Sequence, residues 1–153
     1  MAAGNHRERT TKARLKRIAN ECVGVRLRVT NRVLTKIFDE GLRPFGLKMT
    51  QLNVLVAIGN LEAARPRDLC RLLELDASTL SRNVDRMVQQ GWIASRATDD
   101  ARSHLLSLTR AGERLVDDAF PAWQRAQEAV LERLGADGAD ALARVASSLT
   151  ASE

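Results

Sequence analysis

Pro66-Arg-Asp-Leu-Cys-Arg-Leu-Leu-Glu-Leu-Asp-Ala-Ser-Thr-Leu-Ser-Arg-Asn-Val-Asp-Arg-Met-Val-Gln-Gln-Gly91 is the stretch on which the reading turns. Proline is pre-set for the first helical position, so Pro66 opens a short helix that ends near Leu73. Glu74-Leu75 makes a tight connection. Asp76 has the chemistry of an N-cap, and Gly91 that of a C-terminal stop, so a second helix spans about Ala77 to Gln90. At 100° per residue, Leu80, Val84, Met87 and Val88 fall on one face and pack on the preceding helix. Ser78, Arg82, Asp85, Arg86 and Gln89 fall opposite, flanked by Thr79 and Ser81. A merely solvated face tolerates any polar mixture. This one has small hydroxyl side chains at the helix start and arginines one and two turns later.

Beyond Gly91 the pattern changes to two short strands, Trp92–Arg96 and Ser103–Leu108, around the polar tip of residues 97–102. Two helices joined tightly and followed by a hairpin describe a winged helix-turn-helix, whose second helix enters the major groove of DNA. Short residues at the start of that helix let its backbone sit deep, and arginine then reaches bases or phosphates. Ser78, Thr79, Ser81, Arg82 and Arg86 are therefore candidate contacts. Asp100 and Arg102 stand two apart, so on an extended segment they share a side. The carboxylate can hold the guanidinium, and an arginine on a projecting loop suits the narrow minor groove. Arg96 at the hairpin base is a candidate phosphate contact.

Outward from this core, Leu15, Ile18, Cys22, Val25, Val29, Val33 and Ile37 recur at steps of three and four, a helical stripe from Lys12 to Glu40 that Gly41, Pro44 and Gly46 end. Thr50 is the expected cap of a helix over 51–58. Thr109 caps another that runs to about Leu134, with Val116, Phe120, Trp123, Val130 and Leu134 as its apolar face and a kink near Asp118 from Pro121. Gly135 and Gly138 bracket a break before a last helix, about Ala139–Leu149. The expected fold is mainly α with a small β-hairpin wing. Its parts are a disordered basic tail (1–11), an N-terminal dimerisation helix (12–46), the winged helix-turn-helix (47–109) and C-terminal dimerisation helices (110–153).

The 153 residues carry 24 Lys+Arg and 19 Asp+Glu, a formal net charge of +5 that favours an anionic partner. The charge is uneven. Residues 1–17 hold six basic side chains and one acid, whereas residues 103–153 hold five arginines and eight acids. No apolar run is long enough for a membrane span and no secretory leader opens the chain, so a cytoplasmic location is expected. Cys22 and Cys70 belong to no ligand-spaced cluster, so neither zinc nor another metal is expected. Cys70 reads as a small core residue. No phosphate-binding glycine loop, nucleophile elbow or HExxH motif is present, which argues against an enzyme and against a cofactor.

Leu47-Lys-Met-Thr-Gln-Leu-Asn-Val-Leu55, the stretch from Asp68 to Ile93, and Asp100-Ala-Arg-Ser-His-Leu-Leu-Ser-Leu-Thr-Arg-Ala-Gly112 together resemble the MarR family of bacterial transcription regulators. The D-x-R wing followed by L-T-x-x-G is the most specific part. The resemblance extends over about residues 12–150. It implies a two-fold homodimer whose N- and C-terminal helices interlock, with two winged helices on a palindromic operator in double-stranded DNA. It also implies a repressor released by a small aromatic or phenolic effector. By motif position it assigns Ser78, Thr79, Ser81, Arg82 and Arg86 to the recognition helix, and Arg102, oriented by Asp100, to the wing. Some members sense peroxide through a cysteine near the start of the first helix, where Cys22 lies, but they surround it with tyrosines and this chain has none. A buried place on the dimer stripe is the plainer reading of Cys22. Two alternatives stay open: a redox-responsive regulator acting through Cys22, and a winged-helix protein-interaction module without sequence-specific DNA binding.

Overall fold

The computed structural model of the chain describes residues 2–97 and 104–150. Two compact units are present, Met1–Lys36 and Ile37–Glu153. Helices α1 (Ala2–Glu21) and α2 (Val23–Leu42) come first, and α2 runs into the second unit. A 3₁₀ turn (Arg43–Phe45) leads to α3 (Met49–Asn60), α4 (Pro66–Leu72), α5 (Ala77–Gln89), strands β1 (Ile93–Ala97) and β2 (His104–Leu108), and finally α6 (Arg110–Thr150). This is a winged helix-turn-helix flanked by long helices, mainly α with one hairpin.

The amino-terminal region departs from expectation twice. Residues 1–11, expected as a disordered tail, are helical from Ala2, because no proline interrupts the segment and it continues directly into the turns that follow. The single helix expected from Lys12 is divided at Cys22. Val23-Gly24-Val25 joins two β-branched residues to a glycine, the least favourable run for helix in this region. The division is narrow, since the Cys22 N–H still bonds the Ile18 carbonyl (3.0 Å) and the Arg26 N–H the Cys22 carbonyl (3.2 Å). The Arg26 guanidinium adds a bond to the Asn20 carbonyl.

In the second unit the core is built from Leu42, Leu55, Ile58, Leu69, Met87 and Leu106, all essentially inaccessible to water. Burying such side chains contributes about 1.5–3 kcal/mol each. Thr50 does not cap α3. The helix starts at Met49, where the Asp39 carboxylate accepts the Met49 N–H (2.8 Å) and the Gln51 side chain accepts the Lys48 N–H (3.0 Å). The strands pair antiparallel with Ile93 opposite Leu108, and Ala64 bridges Leu106 from the other edge, so three chain segments lie side by side. The connection between α4 and α5 puts Glu74 at φ 49, a left-handed conformation that makes the turn tight.

The buried face of α6 is made of Ala119, Ala122 and Ala126 together with Val130, which alone of the expected apolar face is fully buried; Val116 and Leu134 are half-buried. Phe120 remains half exposed and Trp123 partly so. The small side chains permit close approach: a Cβ on Gly41 would lie 3.4 Å from that of Ala126. The helix contains Pro121 on an exposed position, and it leaves helical backbone angles at Gly135 (φ 68, ψ 167), where the break was expected. Among the described residues no helix is long and apolar enough to cross a membrane.

Candidate nucleic-acid interface

Helix α5 presents two unlike faces. Leu80 and Met87 are buried and Val84 partly so, whereas Val88, expected to pack with them, stays 38% exposed at the helix end. Ser78, Ser81, Arg82, Asp85, Arg86 and Gln89 are all exposed, and Thr79 is half-buried beside them. The face expected to meet DNA is thus open along its length. Arg96 is exposed on β1. Asp100 and Arg102 lie outside the described residues.

The helix start is held by Asp76. Its carboxylate accepts the Thr79 N–H (2.8 Å), the Ser78 hydroxyl (2.6 Å) and the Thr79 hydroxyl (2.7 Å). These bonds, led by the Ser78 hydroxyl and followed by Thr79, favour the charged form and keep the Asp76 carboxyl well below the usual carboxylate range. Arg82 folds back along the helix. Its Nε donates to the Ser78 carbonyl (3.1 Å) and its terminal nitrogen to the Ser78 hydroxyl oxygen (3.2 Å). Asp76, Ser78 and Arg82 therefore form one chain of hydrogen bonds on the exposed face. Asn83 donates to the Thr79 carbonyl (3.1 Å), and the Ser81 hydroxyl stands 3.4 Å from the Asp85 carboxylate. Arg86 and Arg96 project as cations with no carboxylate fixed to them among the described salt bridges. The link from Asp76 to Arg82 is legible in sequence only as a cap, since the second step depends on the arginine rotamer.

Two concavities flank this helix and the long one. The first, about 450 Å³, lies between α4, α5 and the hairpin and is lined by Arg67, Cys70, Ser81, Asp85, Ser95 and His104 among others. Cys70, expected in the core, is half-buried on its wall, because Leu69 takes the inward position. The second, about 320 Å³, lies between α3 and α6, with Met49, Leu52, Val56, Val116 and Trp123 as apolar wall and Asn53 as its polar side chain. Phe120 and Trp123 stack there with ring centroids 5.6 Å apart. In the first unit, Cys22 is half-buried at the α1–α2 division beside Arg14, Arg17 and Glu21. No group of three or more His, Cys, Asp or Glu suited to a metal ion occurs among the described residues.

Comparison with known proteins agrees with this arrangement. Residues 45–103, from the end of the 3₁₀ turn to the residue before β2, match the model of the MarR family. The chain is 29% identical over 87 residues to the HTH-type transcriptional regulator YwoH of Bacillus subtilis, covering 57% of this chain and 64% of YwoH. It is likewise 29% identical over 91 residues to the multiple antibiotic resistance protein MarR of Escherichia coli, covering 59% of this chain and 63% of that protein. The match thus spans just under two thirds of the length of these relatives. The fold superposes on a cysteine-to-serine variant of E. coli MarR complexed with operator DNA, with a TM-score of 0.77, 23% identity and coverage of 87% of this chain and 96% of that one. It also superposes on Bordetella bronchiseptica BpsR, whose DNA binding is regulated by 6-hydroxynicotinic acid, with a TM-score of 0.77, 21% identity and coverage of 86% and 96%. The winged fold and the matched segment agree: over residues 45–103 the chain is similar to the MarR family.

Proposed function

We propose that the chain is a DNA-binding transcriptional regulator, a repressor that binds a palindromic operator as a homodimer and is released by a small aromatic molecule. The observation that carries this reading is the outward face of α5, where Ser78, Ser81, Arg82 and Arg86 are exposed together while the opposite face is buried. Hydroxyls at the helix start admit the backbone to the groove and the arginines reach base edges or phosphates. Arg96 meets a phosphate from the hairpin, and Arg102, oriented by Asp100, reaches the adjacent minor groove. The similarity to an E. coli protein complexed with operator DNA supports duplex DNA as the partner.

A homodimer is supported by what the chain leaves bare. Leu15, Ile18, Val25 and Val29 are exposed in the first unit, and Leu142, Val145 and Leu149 near the other end. The ends are also opposite in charge, with basic residues gathered before residue 18 and acids in excess after residue 102. The cavity between α3 and α6, stacked aromatics on one wall and Asn53 as its polar group, suits a planar aromatic effector, and the ligand-regulated relative from B. bronchiseptica supports that class.

Gel-shift titration across salt concentrations tests the reading. Log affinity for duplex DNA falls steeply and linearly with log salt, because each phosphate neutralised by arginine releases counterions. Two-fold binding places half-sites about 10 base pairs apart, centre to centre. No binding at low ionic strength, or a flat salt response, identifies a protein-interaction module instead.

A further inference from the structure

Between α5 and α6 the connection narrows to the backbone of one residue. The Trp92 N–H donates to the Met87 carbonyl in the last turn of α5 (2.9 Å), and the Gly91 N–H donates to that of Val88 (2.9 Å). The Trp92 carbonyl in turn accepts the N–H of Thr109, the residue before α6 (3.1 Å). Trp92 therefore touches the end of the recognition helix with one backbone group and the start of the long helix with the other.

Thr109 closes the joint with its side chain. Its hydroxyl has one proton, which goes to the Gly91 carbonyl at 2.6 Å; the Trp92 carbonyl, 3.2 Å away, is already served by the Thr109 N–H. The same oxygen accepts the Gly112 N–H (3.1 Å) and so caps α6. Gly112 sets the spacing. A Cβ there would lie 2.2 Å from the Trp92 carbonyl oxygen and 3.1 Å from its carbon, and both are backbone atoms that cannot swing aside. Glycine is required here for close approach, not for its conformational freedom. Met87, on the far side of the joint, has no exposure to water, so α5 cannot shift at this end without disturbing the core.

We infer that Thr109 and Gly112 are positioning residues for DNA recognition: they fix the end of α5 and the root of the hairpin against α6. Neither touches DNA. They set the angle at which the arginine face and the wing meet the two grooves. The inference rests on the DNA-binding reading above.

Three variants test it: Thr109→Val, which keeps shape and removes the hydroxyl, Thr109→Ser, which restores it, and Gly112→Ala. Each is titrated against a duplex selected from random sequence by the wild-type protein and against a mixed-sequence duplex, with amide hydrogen exchange measured in parallel. Thr109→Val loses about five- to tenfold in affinity for the selected duplex, the worth of about one hydrogen bond. It keeps its affinity for the mixed-sequence duplex at low salt, exchanges faster at Gly91 and Trp92, and is rescued by Thr109→Ser. Gly112→Ala shows a larger loss in the same direction. Should Gly112→Ala not fold, the valine and serine pair decides. Unchanged affinity of Thr109→Val for the selected duplex overturns the inference, as does an equal loss on both duplexes, which marks a structural role alone. Failure of the wild-type protein to bind any duplex overturns the DNA-binding reading itself.

Discussion

At the start of α5 a single carboxylate collects two hydroxyls and one amide, all on an exposed surface. Such a cap orients Ser78, and through Ser78 it orients Arg82, so a residue outside the outward face governs one on it. Its effect on stability has a definite sign with pH. The folded protein holds the charged form of Asp76 more tightly than the unfolded chain does, so the cap stabilises above the ordinary aspartate value of 3.8, and that contribution fades as pH falls below it. Asp76→Ala is accordingly expected to lower the melting temperature by a few degrees at neutral pH. The gap from wild type should narrow steadily below about pH 4 in a calorimetric series. A gap constant with pH would mean that the charge of the cap contributes nothing.

On the scale of elements, α6 does two things: it packs through alanines and carries the stacked Phe120–Trp123 wall of the cavity against α3. If that cavity is the effector site, a panel of phenols and aromatic acids contains one that raises the melting temperature by about 5–10 °C at roughly a hundredfold excess over Kd. Trp123→Ala abolishes the shift while the helical circular dichroism is kept; an undiminished shift in the variant places the ligand elsewhere. The sequence marks Trp123 and Phe120 as apolar positions at helical spacing, but not which of them packs. Alanine is too weakly apolar for periodicity to reveal that it forms the contact face, so the larger neighbours were expected there. The winged region reads more clearly, because Pro66, Asp76 and Gly91 each impose a local geometry that neighbours do not alter. By contrast, the division at Cys22 arises from a slight propensity deficit, and the start of α3 is set by Asp39, ten residues from Met49, which no local pattern exposes. The arginine face was legible from 100° spacing, whereas the Thr109–Trp92 joint depends on residues 17 apart meeting in space.

For the whole molecule the question is what covers the stripe of α1 and α2. Val29 is 56% exposed, and so much bare aliphatic surface along one stripe calls for a partner. Val29→Glu puts a charge in the middle of the stripe. It is expected to reduce the mass seen by light scattering at micromolar concentration from two chains to one, with helical content retained. A variant that stays paired would show that the subunits join through another surface. The position of that stripe in the chain carries a kinetic consequence. Ribosomes deliver α1 and α2 before the winged region, so these aliphatic residues emerge ahead of the segment that binds DNA in the proposed function, and when a second copy is their cover they wait for a finished neighbour. Assembly of that kind is second order: halving the concentration of unpaired chains quarters the rate of pairing, so the fraction of chains that are paired falls as fewer are made.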